Sequence, residues 1–565
     1  MNAHRPPVAL LGPGVAAVLL AFIPQLGAAP PVHHYGVATE SPAATREASR
    51  VLAAGGNAID AALCAALVAG FANPTSSGIG GGGFALVYSA RDHKPFLLDF
   101  RETAPAGVDA SVLDQRPIPD AKRGQTVGVP GEVAGLFELH GRFGKLPWKS
   151  VVERAARLAE QGFAAEPHTV EQVGEQLAQH PEQLASSSAN FRNVYLPGGG
   201  PPKQGLRLYA RRLAKTLGRI AAEGKRGFYE GPVAADLSST VKATGGALTL
   251  TDLAAYQPVA REPLRITWAG KQILTMPPPS AGGLMLAEVL SLFTPDELAA
   301  LRKAPAKRIH LVAEAMRGAA ADRARFVGDP AFVNVDVPRL LAPTRMARRK
   351  ALMAEDRTHS QPRFGLEDAG THHLVVADED GNWVSLTTTI NDAFGAKLMA
   401  EQSGVLLNNQ LTDFAPPESF AAFGLSESPN RVRPGARPVS SMTPTLVLEN
   451  GTPVLALGGS GALTIGPNVT QVLLQRLSEA ASAEAAVAAP RFTIPSPKTG
   501  QTLWLESALA KPYSADLVTR GELLLSKDSQ NAVQLVAREN GAFVAAADPR
   551  KGGSAVVSNA RAAAR

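Results

Sequence analysis

Two strand-like segments that flank a short acidic turn constrain the fold of this chain most strongly. Thr371–Ala377 and Trp383–Thr389 are rich in β-branched residues, and Asp378-Glu379-Asp380-Gly381-Asn382 joins them. The glycine at the fourth position suits the left-handed residue that closes a three-residue hairpin loop. The pattern therefore predicts an antiparallel hairpin, and its register, carried outward from the turn, places Thr371 opposite Thr389.

The two faces of this hairpin differ in polarity, because side chains alternate along a strand. One face is mostly apolar and is predicted to face a core; it holds His372, Leu374, Val376, Val384, Leu386, Thr388 and Ile390. The other face becomes polar away from the turn, with Thr371, His373, Ser385, Thr387, Thr389 and Asn391. Opposite residues lie about 4.5–5.5 Å apart at Cβ, so the hydroxyls of Thr371 and Thr389 are expected within hydrogen-bonding reach. An ordinary Thr-rich face open to solvent is the alternative that the pattern leaves open.

Helices and strands mix along the rest of the chain without a regular βαβ rhythm, which favours an α+β layered fold. Ser41 and Pro42 are suited to the N-terminus of the first predicted helix. Helices are predicted over Pro42–Ala54, Ala58–Phe71, Gly131–Phe143, Lys149–Glu160, Leu284–Leu292, His310–Arg325 and Thr470–Ala481. Further strands are predicted at Phe84–Ser89, Pro95–Arg101, Thr445–Glu449 and Thr452–Leu457, with a turn at Gly458–Gly461.

Composition limits the classes of function. The chain has 565 residues, of which 45% are hydrophobic and 19% charged, so it can form a large core and is not typical of a disordered protein. The formal net charge of +6 is small for this length and argues against nucleic-acid binding. Cys64 is the one cysteine, which excludes an internal disulfide and a cysteine-based zinc site. Its apolar helical surroundings predict a buried structural thiol.

The N-terminus has the features of a secretory signal peptide. Arg5 supplies a positive charge, Val8–Ile23 is apolar but interrupted by Pro and Gly, and Gly27-Ala28-Ala29 offers small residues for cleavage. We therefore expect residues 1–29 to be removed and the mature protein to lie in the periplasm or outside the cell without a stable membrane anchor. An uncleaved anchor is the alternative, which the short, broken apolar run disfavours.

A series of motifs, in order along nearly the whole mature chain, is similar to the gamma-glutamyltransferases, a family of N-terminal-nucleophile hydrolases. The matching stretches are Gly55–Ala62, Ser76–Phe84, Arg101–Pro105, Val129–Gly131, Met276–Gly283, Thr371–Val376, Leu407–Gln410, Arg437–Met442 and Asp548–Arg550. The resemblance implies a four-layer αββα sandwich and self-cleavage between Gly370 and Thr371. A large subunit of residues 30–370 and a small subunit of residues 371–565 would then form one intertwined domain, a heterodimer from one precursor.

The resemblance also implies the reaction. Thr371 is the nucleophile, and its freed α-amine, which titrates near pH ~8 when unperturbed, is the base. It attacks a γ-glutamyl amide, glutathione being the expected substrate, and water or an amino-acid or peptide acceptor takes the acyl group. The resemblance further implies that Thr389 orients the nucleophile and that Gly461 and Ala462 form an oxyanion hole. It implies that the substrate α-carboxylate is bound by Arg101, Ser440 and Ser441. The substrate α-ammonium would be bound by Asn391, Gln410 and Asp413. No cofactor or metal is implied.

Two residues depart from the family pattern. Ala462 stands where relatives have glycine and disfavours positive φ angles, which puts the oxyanion-hole geometry in question. His372 stands beside the nucleophile, where a small residue or Thr is usual. Phe414–Pro438 is long enough for a lid, and Phe423 lies where some relatives have an aromatic gate.

The sequence also admits other interpretations. A cephalosporin or glutaryl acylase has the same fold, but its acyl chain lacks the α-ammonium and would leave Asp413 unpaired. An unprocessed, inactive secreted binding protein is a rival of a different class. Ser460, between paired glycines and Gly461-Ala462, is a near match to the nucleophile elbow of serine hydrolases. The dinucleotide pattern in Gly78–Gly83 is disfavoured, because a strand and not a helix is predicted to follow it.

Overall fold

The structure is a computed structural model, and it describes Met1 and residues 34–115, 117–359, 370–421, 424–494, 502–528 and 531–558. The predicted signal peptide and Phe423 lie outside the described residues. All of the helices and strands lie in the unit His33–Arg565.

The strands are short and spread over the whole chain. In chain order they are β1 (Tyr35–Thr39), β2 (Gly82–Ser89), β3 (Lys94–Asp99), β4 (Phe163–Ala164), β5 (Arg207–Leu208), β6 (Val259–Arg261), β7 (Leu264–Trp268), β8 (Lys271–Thr275), β9 (Gly370–Asp378), β10 (Trp383–Asn391), β11 (Leu398–Met399), β12 (Leu406–Leu407), β13 (Thr445–Glu449), β14 (Thr452–Gly459), β15 (Phe492–Thr493), β16 (Thr502–Leu505), β17 (Leu523–Ser526), β18 (Val533–Glu539), β19 (Ala542–Ala546) and β20 (Ser554–Ser558).

The helices concentrate before Gly370. They are α1 (Pro42–Ala53), α2 (Ala58–Ala72), α3 (Ala110–Leu113), α4 (Glu132–Phe143), α5 (Trp148–Gln161), α6 (Pro167–Gln179), α7 (Pro181–Ala185), α8 (Ala189–Tyr195), α9 (Arg211–Glu223), α10 (Arg226–Tyr229), α11 (Gly231–Ala243), α12 (Leu250–Ala255), α13 (Gly282–Leu292), α14 (Pro295–Leu301), α15 (Pro305–Phe326), α16 (Val337–Leu340), α17 (Pro343–Leu352), α18 (Pro417–Ala421), α19 (Ile465–Ser478), α20 (Ala483–Ala488) and α21 (Ser507–Thr519). Short 3-10 helices lie at Asp120–Thr126, Pro197–Gly199, Gln410–Asp413, Ala462–Thr464 and Pro549–Lys551.

Two antiparallel sheets stack at the centre. The first has the strand order β20-β1-β9-β10-β2-β3-β6, and the second has the order β19-β18-β14-β13-β8-β7. One face of the first sheet shares a hydrophobic core with α1, α2, α4 and α5. Its other face packs on the second sheet, whose outer face is covered by α13, α15 and α19. This is the predicted αββα sandwich of the α+β class, and the prediction is confirmed.

The predicted hairpin forms the middle of the first sheet as β9 and β10. The register agrees with the prediction from the pair Trp383–Ala377 to the pair Thr388–His372. An irregularity then shifts the ladder, so that Asn391 lies opposite Gly370. The hairpin is therefore one step out of the predicted register at the end that carries Thr371.

Both faces of the hairpin are buried, so the interpretation of a Thr-rich face open to solvent is wrong. Leu374 and Val376 pack toward the helices, whereas Val375 and Ala377 pack toward the second sheet. Polar groups on a central strand must therefore find partners inside the protein. Ser385, for example, donates a hydrogen bond to the carbonyl oxygen of Leu457 in the second sheet at 2.9 Å.

Most other predicted elements form with small shifts at their ends. Helices α15 and α19 begin five residues earlier than predicted, because Pro305 occupies the first turn of α15 and a 3-10 turn leads directly into α19. The predicted turn at Gly458–Gly461 is wrong in its first half. Gly458 and Gly459 continue β14 and pair with Gln534 and Val533 of β18.

Helix α2 is buried along its whole length, as its lack of a polar face predicts. Asn57 and Asp60 form a capping box at its N-terminus. Cys64 is buried within it, and this burial, followed by the nearby charge of Glu47, raises the pKa of the thiol to about 12. The thiol stays protonated at neutral pH, which confirms the prediction of a structural cysteine.

Both sheets contain strands from before and from after the Gly370–Thr371 bond. In the first sheet, β9 and β10 are enclosed between β1 and β2. In the second sheet, β13 pairs with β8. The backbone ladders thus join the two parts of the chain at several places. Among the residues that the structure describes, no helix combines the length and the apolar character that a membrane span requires.

Candidate active site

A partly open cavity lies at the end of the central hairpin, where the loop after β14 approaches it. Its lining residues are Arg101, Arg323, Thr371, Thr389, Asn391, Gln410, Asp413, Ser440, Ser441, Met442, Ala462, Leu463 and Ile465. The structure thus brings together nearly all of the predicted site residues, although they are spread over more than 360 positions of sequence. Gly370 and Gly461 line a neighbouring cavity instead.

Two threonine hydroxyls converge on the carbonyl group of Gly370. Thr371 Oγ1 donates to this oxygen at 2.8 Å, and Thr389 Oγ1 donates to it at 2.8 Å. The two hydroxyl oxygens are 3.5 Å apart, so the hydrogen bond expected directly between them is long. The backbone N–H of Asn391 donates to Thr389 Oγ1 at 2.9 Å, which leaves the hydroxyl hydrogen of Thr389 for Gly370.

The glycine-rich turn before β2 lets that strand approach the hairpin closely. A Cβ atom on Gly81 would lie 2.0 Å from the carbonyl oxygen of Thr389, so only glycine fits here. The strand Gly82–Ser89 follows directly. This context excludes the dinucleotide-binding interpretation, which requires a helix at that point.

Arg101 and Asp413 form an ion pair inside the cavity. The Arg101 side chain is 1% exposed, and its Nη2 donates to Asp413 Oδ2 at 2.5 Å. Gln410 Nε2 donates to the same oxygen at 2.7 Å, while the buried Oε1 of Gln410 has no hydrogen-bond partner among the described residues. The cation predicted to bind a carboxylate and the anion predicted to bind an ammonium thus neutralise each other. A zwitterionic α-amino-acid group can replace this pair charge for charge.

The hydroxyl group of Ser441 is oriented by Arg323, a residue that the sequence analysis missed. Arg323 Nη1 donates to Ser441 Oγ at 2.6 Å and to the carbonyl oxygen of Ser440 at 3.0 Å. Because a guanidinium group only donates, the Ser441 oxygen is the acceptor and its hydrogen remains available for a carboxylate. In the sequence, Arg323 resembles an ordinary basic residue in the last turn of a helix.

The loop after β14 presents backbone N–H groups. Gly461 and Ala462 have φ angles of 119° and 49°, and neither N–H donates to an acceptor in the part of the chain that the structure describes. A Cβ on Gly461 would lie 2.1 Å from Asn531 Oδ1, so glycine is required there. Ala462 adopts the positive φ that its side chain disfavours, at a cost on the order of 1–2 kcal/mol. Free N–H groups in this geometry suit an oxyanion.

Comparisons with known proteins agree with this geometry. The family model described as gamma-glutamyltranspeptidase matches residues 44–558. The chain belongs to the gamma-glutamyltranspeptidase family. It is 35% identical over 549 residues to the glutathione hydrolase proenzyme of Bacillus subtilis, covering 92% of this chain and 91% of that protein. It is 32% identical to the glutathione hydrolase proenzyme of Escherichia coli, covering 91% and 90%. The structure of cephalosporin acylase from Bacillus halodurans superposes with a TM-score of 0.81 at 25% identity, covering 95% and 99%.

In this member of the gamma-glutamyltranspeptidase family, a buried lysine holds the backbone of Thr371. Lys551 Nζ donates to the carbonyl oxygen of Thr371 at 3.2 Å and to Ser460 Oγ at 2.8 Å, and Glu40 Oε2 lies 3.4 Å away. Glu40 Oε1 accepts from the backbone N–H of His373 at 3.0 Å. Burial raises the pKa of Glu40, and the charge of Lys551 opposes this shift. Lys551 directly follows the family-like motif Asp548–Arg550, but no feature of the sequence predicts a role for it.

The serine-hydrolase interpretation finds no support in this arrangement. The Ser460 side chain is fully buried, and its hydroxyl accepts a hydrogen bond from Lys551. Ser460 does not line the cavity that contains Thr371 and Thr389. His372 is also fully buried, and neither ring nitrogen has a hydrogen-bond partner among the described residues. Burial and the charge of Lys551 lower the pKa of His372 to about 3, so its imidazole is neutral beside the nucleophile.

The first prediction concerns the Lys551–Glu40 contact. Lys551→Met should lower the free energy of unfolding by about 3 kcal/mol, because it leaves a buried carboxylate without its cation. The double variant Glu40→Gln/Lys551→Met removes the buried charge and should recover part of this loss. Urea unfolding of the three proteins at pH 7 measures the effect. Equal stability of the single and double variants would contradict the assignment.

The second prediction concerns Glu102, whose carboxyl oxygens have no hydrogen-bond partner among the described residues. Burial raises its pKa to about 8, and the neighbouring Arg101 opposes the rise. The unfolded chain ionises this group near pH ~4.3. Folding is therefore accompanied by proton uptake at pH values between ~4.3 and about 8. The stability that this group contributes is fully present below pH ~4.3 and is lost as the pH rises to about 8.

The side chain of the Glu102→Gln variant cannot ionise, so this variant should not lose stability at this position as the pH rises. Between pH 5 and 8.5, its free energy of unfolding should rise relative to wild type on the order of 3 kcal/mol, measured by urea unfolding across the pH range. Glu138→Gln makes the same substitution at a part-exposed helical glutamate; it is the matched control and should follow the wild-type curve. Parallel curves for all three proteins would refute the assignment.

Proposed function

We propose that this chain is a self-processing γ-glutamyl hydrolase and transferase that uses Thr371 as its nucleophile. The observation that carries the proposal is the convergence of the Thr371 and Thr389 hydroxyls on the Gly370 carbonyl, inside a cavity that pairs Arg101 with Asp413. The naming of its relatives as glutathione hydrolase proenzymes supports glutathione as the substrate.

Processing follows from the contacts around Gly370. Thr371 Oγ1 attacks the Gly370 carbonyl carbon, while Thr389 stabilises the developing charge on the oxygen. The C–O bond forms, the C–N bond breaks, and the hydroxyl proton passes to the leaving nitrogen. Water then hydrolyses the ester, which frees the α-amine of Thr371 and leaves a carboxylate on Gly370. The products are the subunits 30–370 and 371–565, held together as a heterodimer by the shared sheets.

Turnover uses the group that processing creates. The α-amine takes the proton of Thr371 Oγ1, the oxygen attacks the γ-carbonyl of the substrate, and the N–H groups of Gly461 and Ala462 bind the oxyanion. Arg101, Ser440 and Ser441 hold the α-carboxylate, and Asn391, Gln410 and Asp413 hold the α-ammonium. The amine product leaves with the proton, and water or an acceptor amine attacks the resulting ester.

The signal-like N-terminus supports export to the periplasm or the cell exterior. N-terminal sequencing of protein from the native compartment should find one chain that begins near residue 30 and a second that begins at Thr371. A single chain would favour the unprocessed binding protein.

The third prediction tests the nucleophile. Thr371→Ala should remain one band on a denaturing gel and should not hydrolyse γ-glutamyl-p-nitroanilide, because both the hydroxyl and the processing step are lost. Wild type should give two bands and release the anilide.

Thr389→Val and Thr388→Val form a matched pair for the same test, because they remove adjacent buried hydroxyls on opposite faces of β10. Thr389→Val should slow processing about tenfold or more, since it removes a donor to the Gly370 oxygen. Thr388 Oγ1 has no hydrogen-bond partner among the described residues, so Thr388→Val should process as wild type does. Equal rates for the two variants would reject the role of Thr389.

An acylase that accepts glutaryl groups is a second candidate, favoured by two observations. Without a ligand, Asp413 already has Arg101 and Gln410 as partners, so it does not depend on a substrate amine for its only contact. The fold is also similar to that of cephalosporin acylase from Bacillus halodurans.

The fourth prediction separates the two candidates. For the γ-glutamyl enzyme, Asp413→Asn should lower kcat/KM for γ-glutamyl-p-nitroanilide by about 100-fold, because it removes the charge partner of the α-ammonium. Glutaryl-p-nitroanilide, which lacks the amine, should be a poor substrate for both proteins. Efficient hydrolysis of the glutaryl compound by wild type would favour the acylase.

A further inference from the structure

The backbone at the start of β9 leaves its ladder with β1 and is held by charged side chains instead. The ladder between the two strands ends at Leu374. Beyond it, Glu40 Oε1 accepts a hydrogen bond from the backbone N–H of His373 at 3.0 Å, and Lys551 Nζ donates to the carbonyl oxygen of Thr371 at 3.2 Å. These side chains satisfy backbone groups that lie beyond the end of the ladder. The residue that begins the small subunit is therefore in direct contact with an ammonium group.

The ammonium group of Lys551 is buried and only partly neutralised. Its side chain is 7% exposed and belongs to the 3-10 helix that precedes β20. Its two hydrogen bonds go to neutral oxygen atoms, the carbonyl oxygen of Thr371 and Ser460 Oγ, while Glu40 Oε2 lies 3.4 Å from Nζ. A neutral donor would hold the same carbonyl oxygen without the cost of desolvating a charge. The charge itself therefore calls for an explanation.

The field of this charge reaches the side chains around it. Burial, followed by the charge of Lys551, lowers the pKa of His372 on β9 to about 3 and that of His168 on α6 to about 3. Both imidazoles are consequently neutral at pH 7. Any further group that can become a cation beside Lys551 is disfavoured in its charged form for the same reason, since like charges repel strongly away from water.

Processing at Gly370 creates such a group. It frees the α-nitrogen of Thr371, which only the Cα and carbonyl carbon atoms separate from the oxygen that Lys551 contacts. The new amine is therefore a near neighbour of the ammonium group. It can take the proton of Thr371 Oγ1 only while it is itself unprotonated. An unperturbed α-amine, with a pKa of ~8, would be mostly protonated at pH 7.

We propose that Lys551 is a positioning residue of the reaction, whose ammonium group keeps the new α-amine of Thr371 unprotonated at neutral pH, and that Glu40 limits the strength of this effect. The inference rests on the proposed function and adds to it the device that sets the working pH of the base. Lys551 does not line the cavity that contains Thr371 and Thr389, so it acts through Thr371 and not on the substrate.

Other titratable or charged side chains face the same region and stay constant when Lys551 or Glu40 is changed. Those of the reaction cavity are Arg101, Arg323 and Asp413. Those of the neighbouring cavity, which Lys551 also lines, are His168, Glu175, Arg491, Glu506, Lys527 and Asp528. On β9, burial lowers the pKa of both His372 and His373, so neither carries charge. A difference between variants therefore reports the substituted pair.

The test follows kcat/KM for γ-glutamyl-p-nitroanilide from about pH 5.5 to 9.5, because its acid limb reports the base of the free enzyme. In processed Lys551→Met, this limb should lie about one pH unit above that of wild type, since the cation is lost and Glu40 remains. Lys551→Arg keeps the charge and should keep the wild-type limb even where kcat falls. Lys527→Met removes an exposed lysine from the neighbouring cavity; it is the matched control and should also keep the wild-type limb.

Glu40→Gln keeps the inference falsifiable if Lys551→Met does not fold or process. The glutamine retains an acceptor for the N–H of His373 but no longer balances the ammonium charge, so the acid limb should move to lower pH. A structural role alone would lower activity in both variants without moving the limb in opposite directions.

Two results would overturn the inference and leave γ-glutamyl hydrolysis in place. One is a wild-type acid limb in processed Lys551→Met, and the other is a limb in Glu40→Gln that stays in place or moves to higher pH. Absence of anilide hydrolysis by wild type would instead overturn the proposed function, and the inference with it.

Discussion

The shared hydrogen bonding of two threonine hydroxyls to the Gly370 carbonyl oxygen is the interaction on which the site depends. It needs Thr371 at the start of β9 and Thr389 on the neighbouring strand, and it needs a shift in the ladder that turns both hydroxyls toward the same atom. The surrounding layers supply the rigidity. The hairpin is enclosed by strands on both edges and by packed layers on both faces, so the backbone that carries the two hydroxyls is held in place.

Charge in the site is balanced locally. Arg101 and Asp413 satisfy each other, and Gln410 adds a second donor to the carboxylate. This balance suits a ligand end that carries both signs, since neither protein charge is left buried alone when the ligand binds. Arg323 is the exception, since its guanidinium group bonds only to serine oxygens in the described part of the chain. The two nearby arginines therefore differ in how their charge is compensated: Arg101 pairs with a carboxylate, and Arg323 bonds to neutral oxygens.

The polar groups beneath the nucleophile have a different task. Lys551 joins the end of β1, the start of β9 and the loop after β14 through contacts with Glu40, Thr371 and Ser460. It donates a hydrogen bond to the backbone carbonyl oxygen of Thr371 and so restrains the main chain at the start of β9. Ala462 adopts a left-handed conformation in this loop, although its side chain disfavours positive φ.

Alternation and turn chemistry in the sequence were enough to predict the hairpin, six of its residue pairs, the helices of the outer layers and a buried Cys64, because each depends on neighbours within a few residues. The family motifs extended this to the αββα layers and to the residues of the cavity. Only the tertiary structure decided the ladder shift at Thr389, the burial of both hairpin faces, the ion pair that compensates Asp413, and the roles of Arg323 and Lys551. These depend on contacts between residues far apart in sequence, some 310 positions for Arg101 and Asp413 and some 510 for Glu40 and Lys551, and no local pattern records which distant side chain will occupy a given space.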